Sequence, residues 1–172
     1  MNREPVPYDH QLSKTLATLS NPGLLLAATD NEGHSNVMTI GWGTVGIIWG
    51  QPVFIVMVRP SRYTSQFIED SKEFTVNVPA AAMRSWVGVC GSQSGRDIDK
   101  FGDYGMSTTP GQHVRAVTID ACPMVYECRS LHHNDLSPAN LEAAAEKRFY
   151  DGKDYHRLYF GQILGTYASP EF

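Results

Sequence analysis

Residues 52–70 read PVFIVMVRPSRYTSQFIED, and the fold turns on the residues just after Val58. Val53 to Val58 is an unbroken apolar run of strand length, the pattern of a strand buried on both faces. Two arginines, a tyrosine and three hydroxyls come next, before apolar spacing resumes as a short helix over about 64–70. Ending a strand takes one Pro or Gly, and starting a helix takes one Ser or Thr. The surplus admits two readings of equal standing. One is a capped helix flanked by solvated arginines. In the other, Thr64 caps the helix and Arg59, Ser61 and Arg62 gather with it around an anion. A helix N-terminus has free N–H groups and a favourable dipole, and guanidinium adds paired donors.

Working outward, 23–29 reads as a buried strand, 30–33 as a turn and 36–40 as a second strand, together a hairpin. Downstream, 73–78 reads as a strand and 80–89 as a helix. Further strands fall at 114–119, 124–131 and 155–167, with a helix or ordered excursion over 137–147 behind Ser137-Pro138. Strands outnumber helices and adjoin through short turns. That predicts a mainly β protein, a closed or nearly closed antiparallel barrel with peripheral helices. No repeat or Pro/Gly-rich linker divides residues 1–172, so one domain is expected.

Composition agrees: 42% of the 172 residues are apolar and 19% charged, enough to build a core. A formal charge of -4 gives no basis for a nucleic-acid partner. Neither a signal-peptide core nor a run of membrane-spanning length is visible, and a cytoplasmic protein is expected. The three cysteines are an odd count without scaffold spacing, hence reduced thiols. Cys122 and Cys128, six apart in a predicted strand, are expected on one face, where His132 or His133 could join them around a metal. Small core thiols are the simpler reading, and no metal site is assigned.

Two more stretches bear on the anion question. In Asn36-Val37-Met38-Thr39-Ile40-Gly41-Trp42, alternation puts Asn36, Met38 and Ile40 on one face, with Val37 and Thr39 on the other. Such a strand offers a flat heterocycle edge contacts and a Trp wall, and equally reads as an amphipathic strand with a rim Trp. The loop Gly91-Ser92-Gln93-Ser94-Gly95 leads to Lys100, exposing main-chain N–H groups without forming a P-loop or Rossmann fingerprint.

In order and spacing, these pieces resemble the flavin reductase-like family, the FMN-binding split barrels that include flavoredoxins. The matching segments are NVMTIGW (36–42), RPSRYTSQFI (59–68), FTVNVP (74–79), CGSQSGRDIDKF (90–101) and CPMVYEC (122–128), covering most of the chain from about residue 20 onward. The resemblance implies a six-stranded antiparallel Greek-key split β-barrel and a homodimer with one FMN per subunit near the interface. It implies that Asn36, Met38, Thr39 and Trp42 approach the ring or ribityl chain, and that Ser61, Arg62 and Thr64 hold the phosphate. Arg59 joins them if its side chain points inward, while Gly95 and Lys100 close over the flavin. Lys100, near the N1–C2=O edge, would favour the anionic reduced ring. From the C-terminal strand, His156, Tyr159 or Phe160 is expected near the flavin, each also readable as strand packing.

The function so implied is an FMN-dependent oxidoreductase taking hydride from NADH or NADPH and passing electrons to a flavin or another acceptor. Alternatives are a flavoredoxin-like FMN carrier reduced by a partner protein, an FMN-dependent ferric reductase using Cys122, Cys128 and the His132-His133 pair, or a flavin sensor or store. No dinucleotide fingerprint separates NADH from NADPH, and residues 133–154 match no family segment.

Overall fold

Strands with side chains buried on both faces need cover on both sides, and here a curled sheet covers one face while helices cover the other. The computed structural model describes residues 2–172. Its strands are β1 (Glu4–Pro5), β2 (Leu24–Thr29), β3 (Ser35–Ile40), β4 (Gly43–Ile48), β5 (Gln51–Val58), β6 (Glu73–Val78), β7 (Thr108–Pro110), β8 (Val117–Ile119), β9 (Met124–Asp135) and β10 (Arg157–Ala168). The helices are α1 (Leu12–Ser20), α2 (Tyr63–Ser71), α3 (Arg84–Ser92), α4 (Lys100–Asp103) and α5 (Ala143–Phe149).

The main sheet runs β3-β2-β6-β9-β10-β5-β4, with β1 added beside β10, and every pairing is antiparallel. Its two edges, β3 and β4, are joined by only Gly41-Trp42, so the sheet must curl until they meet. This is a barrel split between β3 and β4. Seven strands form it rather than the expected six. The strand hidden from the sequence is β4, whose alternation is diluted by Gly43 and Gly46. At Gly43 the backbones crowd: a Cβ there would lie 2.5 Å from the Ile55 carbonyl oxygen. The β4–β5 hairpin turns on Trp49-Gly50, both with positive φ (53° and 74°), the conformation that suits a twisted two-residue turn.

Leu24, Leu26, Met38, Phe54, Val56, Val76 and Tyr126 fill the barrel, whereas Leu25, Ala27 and Val37 point outward to a second layer under α3, with Met83, Val87 and Cys90. These two layers separate the cysteine pair: Cys128 packs inside the barrel and Cys122, ahead of β9, in the outer layer. The expected shared face fails because Cys122 precedes the strand, and no group of three His, Cys, Asp or Glu gathers among the described residues. Strand 114–119 shortens to β8, and the loop before it folds onto Glu127, which is 1% exposed. Its carboxylate accepts the N–H groups of Gln112 (2.9 Å) and His113 (2.6 Å). Over 137–147 the chain makes a 3₁₀ turn (Pro138–Asn140) and then α5, capped by the Glu142 carboxylate. Among the described residues no helix is long and apolar enough to cross a membrane.

Candidate functional site

Sequence places a charged corner between β5 and α2, and the sheet brings β3 alongside it. Arg62 is the N-cap of α2, with no side-chain cap bond. Thr64, expected as the cap, instead lies in the first turn, 1% exposed. It faces β3, and its Oγ1 accepts a hydrogen bond from Asn36 Nδ2 at 2.9 Å. That bond leaves the Thr64 proton to another acceptor. Gly95 abuts the same pair: a Cβ there would lie 2.8 Å from Asn36 Cγ and closer still to Oδ1.

Lys100 enters from α4 beneath this corner and is 4% exposed. Its Nζ donates to the carbonyls of Val37 (2.8 Å) and Cys90 (3.3 Å), which leaves one proton uncommitted. Burial holds its pKa below the ordinary 10.5, Cys90 works against that shift, and positive Arg62 adds to it. Arg96 arrives from the glycine loop, donates to the Ser61 carbonyl at 3.3 Å and lies 4.7 Å over the Tyr63 ring. These cations line a cavity of about 180 Å³ floored by Met38 and walled by 90–96. Among the described residues no Asp or Glu lines it.

A second depression of about 130 Å³ adjoins the first, sharing Met38 and Arg62. Its walls include Trp42, Met57, Arg59 and His156. Trp42 meets Phe149 edge-on at 5.0 Å and His156 at 4.8 Å. The Tyr150 hydroxyl lies 2.9 Å from His156 Nδ1. Burial, and then Arg59, push the His156 pKa down to about 4, so the ring is neutral near pH 7. The two depressions form one groove along β3, cationic at one end and aromatic at the other.

All ten predicted site residues line one or other half of this groove. Besides Thr64, four differ from expectation in what they do, the first being Ser61, whose hydroxyl donates to Asp154 Oδ2 at 2.7 Å. Thr39 contributes backbone, because its hydroxyl donates to the Val87 carbonyl at 2.6 Å and ties β3 to α3. Arg59 is spent on the 149–154 segment, donating to the carbonyls of Phe149 (2.7 Å) and Asp154 (3.0 Å). Lys100 shares the cationic half with Arg62 and Thr64, not the aromatic half with Trp42. Of the C-terminal candidates, His156 reaches the groove, while Tyr159 is buried in the barrel and Phe160 sits on its outer face against Trp49. Arg96 and Met57 also line the groove, outside the residues expected from the sequence. Arg96 follows the glycine loop directly, the one available clue, whereas nothing local marks Met57.

A family model described as "Flavin reductase like domain" matches residues 16–171. The chain belongs to the flavin reductase-like family. A curated protein, "Uncharacterized protein YddH" of Escherichia coli (strain K12), is 28% identical over 142 residues, covering 77% of this chain and 75% of its own length. Among solved structures, the flavoredoxin of Desulfovibrio vulgaris (Miyazaki F) superposes with a TM-score of 0.70 at 23% identity, covering 87% of this chain and 70% of that one. An FMN-binding domain of a flavin reductases-like enzyme from Shewanella baltica gives 0.68 at 21% identity, covering 97% and 77%. At those identities the superpositions speak for the fold, and the split barrel is the fold they share.

Proposed function

We propose that this flavin reductase-like protein binds FMN in the groove and transfers electrons from NADH or NADPH through it to a flavin or another acceptor. The observation that carries this reading is the crowding of Arg62, Arg96 and Lys100 around a cavity with no acid in its lining among the described residues. Like charges held that close raise the energy of the empty groove, and an anion relieves it. Arg62, the uncommitted protons of Lys100 and Thr64, and main-chain groups of the glycine loop would hold a phosphate. Met38 leads from that end to the Trp42 and His156 wall, a surface suited to a flat ring. FMN, when bound, supplies the hydride and electron chemistry. The chain's own part is to orient the ring, keep water from one side and hold His156 neutral beside it.

The outer face of the β5–β10 pair supports a homodimer. Ile55 opposes Phe160 and Met57 opposes Leu158 there, all partly exposed, with Trp49 62% exposed at its margin. Because Met57 also lines the aromatic half of the groove, a second copy on this face would place its surface beside the flavin ring.

Anaerobic visible titration with FMN, followed by NADPH and then NADH in the same cuvette, tests the reading. Stoichiometric uptake and rapid bleaching by one nucleotide are expected, and absence of FMN binding would refute it. Likeness to a flavoredoxin supports a second reading, an FMN carrier reduced by a protein, which predicts uptake without bleaching.

A further inference from the structure

Just outside the lining of the phosphate corner stands an anion held by two of the corner's own residues. Ser61 directs both of its donors at Asp154: the backbone N–H at Oδ1 (3.3 Å) and the hydroxyl at Oδ2 (2.7 Å). Arg59 lies 3.9 Å from the same carboxylate and donates to the Asp154 carbonyl. Asp154 holds a left-handed backbone (φ 52°) to do this, a conformation that non-glycine residues adopt only against a steric penalty. The segment that carries it is braced separately, by Glu146 accepting from Gly152 N–H at 2.8 Å and from the Tyr155 hydroxyl at 2.7 Å. The carboxylate therefore occupies the donors of Ser61, the residue immediately before the N-cap of α2.

We propose that Asp154 sets the phosphate selectivity of the groove by withholding Ser61 from the flavin phosphate and opposing it with a fixed negative charge, which makes FMN an exchangeable ligand. This rests on the FMN reading above. One hydroxyl proton cannot serve two acceptors, so a phosphate drawn to Arg62 and Lys100 finds the Ser61 hydroxyl already committed. It also meets a carboxylate on the far side of Ser61. Attraction from Arg62 and Lys100 is thereby partly offset. A flavin held on those terms binds and leaves with turnover, as suits a protein that releases its reduced flavin to a consumer. Riboflavin, without a phosphate, is indifferent to Asp154.

Equilibrium titration by flavin-fluorescence quenching, with FMN and riboflavin on wild type, Asp154→Asn and Asp154→Ala, tests the assignment. Asp154→Asn keeps an acceptor for Ser61 and removes the charge, and Asp154→Ala also frees the hydroxyl. FMN affinity is expected to rise about tenfold in Asp154→Ala, with a smaller rise in Asp154→Asn, at low ionic strength. Riboflavin affinity should not move, and the FMN dissociation rate should fall in step. Equal loss for both flavins would show Asp154 to be a strut for the 149–156 segment, and an unchanged FMN-to-riboflavin ratio would also overturn the proposal. Wild type binding FMN with an unchanged ratio in the variants removes only the role of Asp154. Failure of wild type and both variants to bind FMN at all removes the flavin reading beneath it.

Discussion

Replacing Arg62 with alanine separates a ligand-holding role from a structural one, because the two predict opposite results for the empty protein. Among the described residues the guanidinium makes no hydrogen bond or ion pair, and the helix it precedes receives no side-chain cap from it. Its electrical neighbour is Lys100, whose pKa it helps depress. Alanine therefore takes away a repulsion and no bond, so the ligand-free melting temperature should stay level or rise slightly. FMN should weaken. A charge-assisted hydrogen bond contributes about 1.5–3 kcal/mol, and the lower half of that range suits an exposed arginine, giving roughly a 10- to 40-fold loss. Riboflavin should bind as before. The assay is flavin-fluorescence titration at low and high salt beside a calorimetric melt, and the FMN deficit should shrink as salt screens the phosphate. Parallel weakening of both flavins, or a melting temperature that falls with FMN affinity unchanged, would refute the phosphate assignment.

Gly95→Ala should force Asn36 off the buried Thr64 hydroxyl, costing about 1–3 kcal/mol in FMN affinity, and an unchanged FMN titration would defeat the crowding argument. Lys100 is charged in both folded and unfolded states below its lowered pKa, so it weakens the fold there; stability should recover as pH rises from that value towards 10.5, where the folded state loses its proton first. Denaturant titrations of wild type and Lys100→Met across alkaline pH check this, since the variant should lack the recovery. For His156 the unfolded state takes up its proton first as pH falls from 6.5 towards about 4, so wild type should lose on the order of 1–2 kcal/mol in that window, allowing for partial exposure. His156→Phe should not show that loss, and an NMR titration placing the His156 midpoint near 6.5 would contradict it. Phe160→Asp places a charge on the outer face of β10, and light scattering should then report monomer where wild type reports dimer.

Local chemistry makes much of this protein legible in its sequence. The run Val53–Val58, the corner from Arg59 to Thr64 and the strand through Asn36 to Ile40 carry their own signals: apolar length, surplus charge and period-two alternation. Those signals survive because each is set by neighbours in the chain. They are enough to point to a barrel, to an anion corner and to residues that do line one groove. Strand β4 escapes because glycines dilute its alternation and the one that opens it, Gly43, is explained by backbone approach to β5, a non-local fact. The partners of side chains are equally hidden. Nothing near Thr39 announces that its hydroxyl belongs to Val87, and nothing near Thr64 says that its hydroxyl oxygen accepts from Asn36 instead of capping the helix. Arg59 and Ser61 read as anion ligands, yet the anion they meet is Asp154, more than ninety residues further on. Sequence determines which groups want a partner, because hydrogen-bonding capacity and charge are properties of each residue. Which partner each one gets depends on strands and segments distant in the chain arriving within about 3 Å, and only the tertiary structure decides that.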